Sequence, residues 1–323
     1  MSVIVFIENW DGKFKKLSCE LISYGSKVAE MLGTSAIALS IGKVEAPELE
    51  KLRQFGAVKI IDAIDENLNV LDNQIYTTII SDFARKENAS VIILSNNNTG
   101  KAIAPRLSVL FKAGLGSGVN KLPLSIDPFI ISKKSFSGNA FARVVLKTEM
   151  KILTLAQNSF ELIEGSENAL IESVTLNIES GSIKTQVTQV QKQSGKILLS
   201  DAEIVVSGGR GMKSPDNWGP LVELADLLGA ATACSRPVSD EGWRSHDEHT
   251  GQTGKIIAPN LYIAVGISGA TQHLAGVSAS KYIVGINNDK DAPIFEAAQY
   301  GMVGDAQKIL PRLVEAIKEV KGK

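Results

Sequence analysis

Short apolar runs alternate with amphipathic helical stretches twice over, and this alternation leaves few folds open to the chain. In the first half, residues 3–7 (VIVFI), 36–41, 58–61 and 91–94 read as buried strands. Between them, residues 15–32 carry Leu17, Leu21, Val28 and Leu32 at helical spacing, and Gly33 offers a natural stop. Residues 46–55, with Pro47 in the first turn, and 74–85 read as further helices. Residues 99–111 read as another, with Pro105 marking a kink or a late start. Strand–helix alternation with short links predicts a mostly parallel sheet with helices on both faces. The composition suits that arrangement. Aromatics are 6% of the chain against 28 glycines, and small and aliphatic side chains fill a parallel sheet covered on both sides.

The pattern changes near residue 119. Residues 129–131, 140–146 and 150–155 read as strands with no long helix between them, which predicts an antiparallel extension of the first sheet. Residues 157–198 are rich in Ser, Thr, Gln, Glu and Asn, and residues 185–191 (TQVTQVQ) read as an exposed edge strand. The expected domain boundary falls here, giving domains 1–190 and 191–323. The second half then restarts the α/β pattern. Strands are expected at 203–206, 230–233, 261–265 and 282–286, and helices at 218–228, 270–275, 294–298 and 309–320, the last with Pro311 in its first turn.

Several function classes fall away. Lys plus Arg is 34 and Asp plus Glu is 35, so bulk charge draws the chain to neither nucleic acid nor an anionic membrane. No run approaches the ~18 apolar residues of a membrane span. Residues 3–7 stop at Glu8 without a basic leader, so no signal peptide is expected. Cys19 and Cys234 make no disulfide framework and no zinc site, and a reducing compartment such as the cytosol is expected.

The chemistry gathers at the strand ends of the second half. Ser207-Gly208-Gly209-Arg210-Gly211 follows a strand and brings backbone N–H groups and a guanidinium to one turn, a pattern suited to phosphate. An ordinary glycine-rich connection with an exposed Arg is the alternative, since Ser214 stands where a dinucleotide fingerprint needs its third glycine. Gly266-Ile267-Ser268-Gly269-Ala270-Thr271-Gln272-His273 follows another strand and opens a helix. Two such loops at strand carboxyl ends suggest a nucleotide with a pyrophosphate, although His273 taken alone reads first as a partly buried histidine satisfied by backbone. Ser235-Arg236 follows a third strand, where a surface arginine beside a turn proline is the alternative, and Thr250-Gly251-Gln252-Thr253 places small polar groups suited to a heterocycle edge, where a plain flexible turn is the alternative. Asn287 follows a fourth strand, and Asp305 precedes the last helix, where it also suits an N-cap. His246-Asp247-Glu248-His249 hints at a metal but lacks a third ligand and reads as a solvated loop, so no metal site is expected. No nucleophile–base arrangement or paired carboxylates stand out, and no catalytic residue is expected.

Taken together, SGGRG, CSR, TGQTGK, LYIAVGISGATQHLAG and YIVGINNDKDAPIF, in order from about residue 203 to 310, resemble the electron transfer flavoprotein alpha subunit. Ala104-Pro105-Arg106-Leu107 and Ser137-Gly138-Asn139-Ala140 agree more weakly. The resemblance implies an N-terminal α/β domain that is structural and meets a partner, and a Rossmann-like doubly wound C-terminal domain holding FAD. It implies a heterodimer with a beta subunit. That heterodimer would carry single electrons, without substrate turnover of its own, from acyl-CoA dehydrogenases and related flavoenzymes to a membrane electron transfer flavoprotein–quinone oxidoreductase. The setting would be the bacterial cytosol or the mitochondrial matrix. A bifurcating or pathway-specific member is the alternative.

The resemblance also distributes roles. Arg210, between Gly209 and Gly211, would contact the diphosphate region. Ser235 and Arg236 would lie by the flavin. Thr250, Gly251, Gln252 and Thr253 would meet the ribityl chain and ring edge. Ser268, Gly269, Ala270, Thr271, Gln272 and His273 would wrap the phosphate, ribityl and pyrimidine end, and Asn287 and Asp305 would serve the adenosine half. Residues 237–249 depart from the family pattern. A nicotinamide dehydrogenase would need a cleaner GxGxxG and an acid–base residue, and a plain nucleotide-binding module would leave the ring-edge residues unexplained.

Overall fold

A computed structural model describes residues 1–65, 68, 71–138, 140–165, 168–178, 185, 187–189 and 197–322. The chain divides into two compact units, residues 1–135 with 140–190, and residues 136–139 with 191–323.

The first unit is built on β1 (Ser2–Ile7), β2 (Ser35–Ile41), β3 (Lys59–Ile64), β4 (Ala89–Ser95), β5 (Gly114–Val119), β6 (Ser125–Ile126), β7 (Phe129–Ser135), β8 (Ala140–Leu146), β9 (Lys151–Leu155) and β10 (Leu170–Thr175). They form one sheet in the order β10-β3-β2-β1-β4-β9-β5-β7-β6, with β8 paired to β7. Helices α1 (Lys16–Met31) and α2 (Ala46–Leu52) bury Leu21, Ile22, Leu49 and Leu52 against one face. Helices α3 (Asn73–Lys86) and α4 (Asn98–Phe111) bury Ile75, Ile79, Ile103 and Leu107 against the other. β1 is buried along its whole length because both of its faces are covered, which is why residues 3–7 are continuously apolar rather than alternating. The helix starts are written in the sequence. Asp72 accepts from the N–H groups of Gln74 and Ile75, and Asn97 accepts from that of Gly100. The Asn97 cap starts α4 well before Pro105, so that proline sits inside the helix and does not delay its start.

Two expectations for this unit need correction. The strand at residues 150–155 is not part of an antiparallel extension. β9 runs parallel to both β4 and β5 and completes the parallel sheet between them, so the antiparallel part is β6, β7 and β8 alone. Hairpin adjacency in sequence suggested the wrong partner, because β9 returns past β7 and β8 to reach the centre. One end of the described sheet is β10, parallel to β3, a strand the sequence did not announce. Thr185 and residues 187–189 belong to no strand, and the rest of that segment lies outside the described residues, as does Asn139.

The second unit contains β11 (Ile204–Gly208), β12 (Ala231–Cys234), β13 (Leu261–Val265), β14 (Tyr282–Asn287) and β15 (Tyr300–Val303). All are parallel, in the order β12-β11-β13-β14-β15. Helices α5 (Gly219–Leu228) and α9 (Ala306–Lys321) cover one face through Leu221, Leu224, Leu310 and Val314. α7 (Thr271–Val277) and α8 (Ile294–Ala297) cover the other through Val277 and Ile294, while the short α6 (Arg236–Asp240) follows β12. This is the doubly wound arrangement. α9 begins at Ala306, three residues before the expected start, because Asp305 caps it, which places Pro311 beyond the first turn. β15 escaped the sequence reading because its four residues are all exposed and carry no burial pattern.

Candidate functional site

From β11 the chain leaves to one side for β12 and then returns across β11 to β13, so the order reverses between β11 and β13. Loops after the carboxyl ends of strands part at such a point and leave a crevice for a ligand. A cleft of about 640 Å³ lies there. Its walls come from the turns after β11, β12, β13 and β14, from α7 and from residues 249–253.

The turn after β11 is held by the turn after β13. The Gly209 N–H donates to the Val265 carbonyl at 2.8 Å and the Gly211 N–H donates to the Gly266 carbonyl at 3.0 Å. A Cβ on Gly209 would fall 2.2 Å from the Gly266 carbonyl oxygen, and one on Gly211 would fall 2.7 Å from the Gly266 Cα. The sequence suggested that these glycine N–H groups face an anion. In the structure they are spent joining two loops, and the glycines are there because the two backbones touch. Arg210, carried between them, lines the cleft with its side chain 71% exposed and its Nη1 4.0 Å from Glu241.

After β12, Ser235 stands at the N-cap position of α6 without using its side chain as a cap, and it lines the cleft. Arg236 also lines it, 65% exposed, with Nε donating to Asp240 at 3.2 Å. Residues 249–255 fold into a turn strapped at both ends. The Thr250 N–H donates to Cys234 O, the Lys255 N–H to His249 O, and the Gln252 N–H to Gln272 O. α7 presses directly on this turn, since a Cβ on Gly276 would fall 2.4 Å from the Gly251 Cα.

His273 is buried in the wall, with Nε2 2.8 Å from the Tyr262 hydroxyl. Its Nδ1 has no hydrogen-bond partner among the described residues. Burial drives its pKa from 6.5 down to about 4, so the imidazole is neutral at physiological pH. Asn287 is committed to the loops: its Nδ2 donates to Ile267 O at 2.9 Å and its Oδ1 accepts from the Asp289 N–H at 3.0 Å.

The structure thus brings Arg210, Gly211, Ser235, Arg236, Thr250, Gly251, Gln252, Thr253, Ser268, Ala270, Gln272, His273 and Asn287 to one cleft. Gly209, Gly269, Thr271 and Asp305 do not line it. Gly209 lies behind the wall, and a Cβ on Gly269 would fall 2.3 Å from Ile294 N, so that glycine serves the contact with α8. Thr271 is exposed at the start of α7. Asp305 caps α9 through the Gln307 N–H and pairs with Lys213 Nζ at 2.9 Å, and the lysine holds its carboxyl below the usual range. Pro237, Gly266 and Ile267, named in the candidate loops but given no role, also line the cleft, and His249 was missed. His249 was hidden inside HDEH. The structure splits that cluster, with His246 Nδ1 on Ser239 Oγ at 2.7 Å and His249 turned into the cleft. Its place directly before Thr250-Gly251 was the available signal. Among the described residues no group of His, Cys, Asp or Glu is arranged to hold a metal.

Among the described residues lining the cleft there are two arginines and two histidines but no Asp or Glu. That donor set suits an anionic ligand with carbonyl-bearing rings. Another hollow, of about 620 Å³ in the first unit, is lined by Glu8, Asp11 and Glu45 with Lys43 and so suits a diphosphate less.

Comparison with known proteins decides what the ligand is. Residues 3–179 match the electron transfer flavoprotein domain, and residues 198–278 match the electron transfer flavoprotein FAD-binding domain. The chain belongs to the electron transfer flavoprotein family. Within that family it is an alpha subunit, and it is 35% identical over 321 residues to the electron transfer flavoprotein subunit alpha of Bacillus subtilis, covering 98% of each chain. It is 32% identical to Protein FixB of Clostridium saccharobutylicum, covering 98% of this chain and 96% of that one. It is 30% identical to the acryloyl-CoA reductase electron transfer subunit beta of Anaerotignum propionicum, covering 98% and 95%. Its cofactor is FAD, members of the family are electron carriers, and an alpha subunit implies a beta subunit as partner. The cleft fits FAD by its size, its cationic rim and the unpartnered His273 Nδ1 in its wall. No helix among the described residues is long and apolar enough to cross a membrane.

Proposed function

We propose that the cleft of the second unit holds the FAD of a heterodimer that carries single electrons from acyl-CoA dehydrogenases and related flavoenzymes to a membrane quinone oxidoreductase. The observation that carries the reading is the carboxylate-free, arginine-rimmed cleft at the point where strand order reverses. FAD supplies the redox chemistry when bound, and the chain supplies binding, orientation and charge. Arg210 holds the diphosphate. Ser235, Arg236 and the turn from Thr250 to Thr253 orient the ring, and the loop and helix start from Ser268 to His273 close over the ribityl chain and phosphate. Asn287 supports the adenosine side by fixing the two loops it bridges. Asp305, as the cap of α9 and the partner of Lys213, steadies that side from outside the cleft wall.

The first unit is proposed to serve structure and subunit contact. The exposed Phe141 and Val145 on one face of β8 suit burial by the beta subunit.

The test is to purify the chain with its beta subunit, count flavins per heterodimer and titrate the potential of Arg236→Ala. A cation about 4 Å from a developing negative charge, at a dielectric of about 20, is worth about 4 kcal/mol. For one electron that is about 170 mV. Arg236 is exposed and paired with Asp240, so a fall of a few tens of mV, roughly, is expected with FAD retained. A colourless heterodimer refuses the reading, and an unchanged potential removes Arg236 from it. Relatives that include FixB and an acryloyl-CoA reductase subunit support a second reading, a bifurcating or pathway-specific flavoprotein. More than one FAD per heterodimer favours it.

A further inference from the structure

His249 lies inside the cleft yet has no part in the roles above. It is 9% exposed. Its backbone is pinned on both sides, by the parallel bridge to Cys234 and by the Lys255 N–H on its carbonyl. The ring is therefore set in place without using either nitrogen, and neither has a hydrogen-bond partner among the described residues. Two glycines make room for it. A Cβ on Gly254 would fall 2.8 Å from the His249 Cγ, and one on Gly251 would fall 3.5 Å from its Nε2. A histidine held this way, with both nitrogens open beside two arginines, can change its charge when the charge in the cleft changes.

We propose that His249 is the proton-linked residue of this cleft, its imidazole taking up one proton from solvent as the anionic FAD enters beside Arg210 and Arg236. The proposal rests on the assignment of FAD to the cleft. The balance is simple: neutral imidazole and a solvent proton give imidazolium, and no bond to the cofactor forms.

The groups facing His249 explain why it waits for the ligand. From α6, Arg236 opposes its protonation and Asp240 favours it, but Asp240 already accepts from Arg236. His246, in the turn before it, also opposes, and burial is the largest influence, so the ring sits below the ordinary 6.5. Glu248 is occupied by Arg244 in a two-point pair at 2.7 and 2.8 Å, and Lys255 Nζ lies 3.8 Å from Asp247. His273, which also borders Gly251, is neutral down to about pH 4, and burial pushes the Cys234 thiol up to about 12. A ligand anion offsets Arg236 and raises the His249 pKa, so affinity and proton uptake are linked.

The sign follows. FAD binds more tightly as pH falls through the His249 pKa of the complex, and the gain levels off below the pKa of the empty cleft. The experiment strips the heterodimer of FAD and measures the FAD dissociation constant by flavin fluorescence between about pH 5.5 and pH 8. FAD itself keeps its charge across that range. The wild type is expected to tighten by up to about tenfold per pH unit within part of the range. His249→Gln should flatten the profile, and His246→Gln should keep it. Calorimetric titration of the wild type in buffers of different ionisation enthalpy gives a second readout that needs no variant. It should show net proton uptake on binding. A flat wild-type profile, an unchanged slope in His249→Gln, or no proton uptake overturns the proposal while FAD still binds. Failure of FAD to bind at any pH overturns the assignment of the cleft and this proposal with it.

Discussion

Single residues in this chain are set by burial more than by sequence context. Asp62 lies in the middle of β3, 2% exposed, with one carboxylate oxygen lacking a partner among the described residues. Burial raises its pKa from 3.8 to about 6. The folded form keeps its proton longer than the unfolded chain, so stability falls as pH rises from 3.8 to about 6 and stays lower above that. Asp62→Asn is expected to stabilise the protein by about 1–3 kcal/mol at neutral pH and to change little near pH 4, as read by urea unfolding at both pH values. His273 shows the opposite sign. Its folded pKa of about 4 lies below the ordinary 6.5, so its contribution is fully present above pH 6.5 and drains away as pH falls toward 4. The limit is of order 3 kcal/mol. His273→Gln should flatten that part of the pH–stability profile, even though loss of the Tyr262 contact lowers its level. Nothing in the sequence around Asp62 or His273 announces either shift, because each depends on what other strands and helices place above it.

At the scale of elements, local signals carried most of the assignment. Gly33 as the stop of α1 and Asp305 as a cap were read from residue type, while Asp72 and Asn97, of the same residue types, cap α3 and α4 without having been read as caps. Among the elements the sequence misplaced or did not announce, β15 lacks a burial pattern, and β9 and β10 have distant partners. β9 crosses back between β4 and β5, and β10 joins β3 from over a hundred residues downstream. The glycines of the site also belong to this scale. Gly276 belongs to α7, Gly251 to the turn beneath it, and there is no space between them for a methyl group. Gly276→Ala must push α7 off that turn, so FAD content is expected to fall severalfold while the circular dichroism of the chain stays near that of the wild type. Full FAD occupancy in that variant would show that the turn tolerates the shift.

For the whole molecule, the two units have separate sheets, each with its own apolar layers on both faces. A ligand that binds one unit stabilises that unit by mass action. Removing FAD from the heterodimer should therefore lower amide protection in β11 to β14 and α7 and leave β1 to β4 nearly unaffected, as read by hydrogen exchange. Equal loss in both sheets would show that the units share stability.

The sequence by itself determined most of the alternation of strands and helices and the family to which the loops belong. Those features are local in the chain, and residue type and spacing express them directly. The tertiary structure alone decided which strands are neighbours, which glycine N–H groups are spent on loop packing, and that His249 faces inward. Each of those outcomes depends on two segments far apart in the chain reaching the same few ångströms.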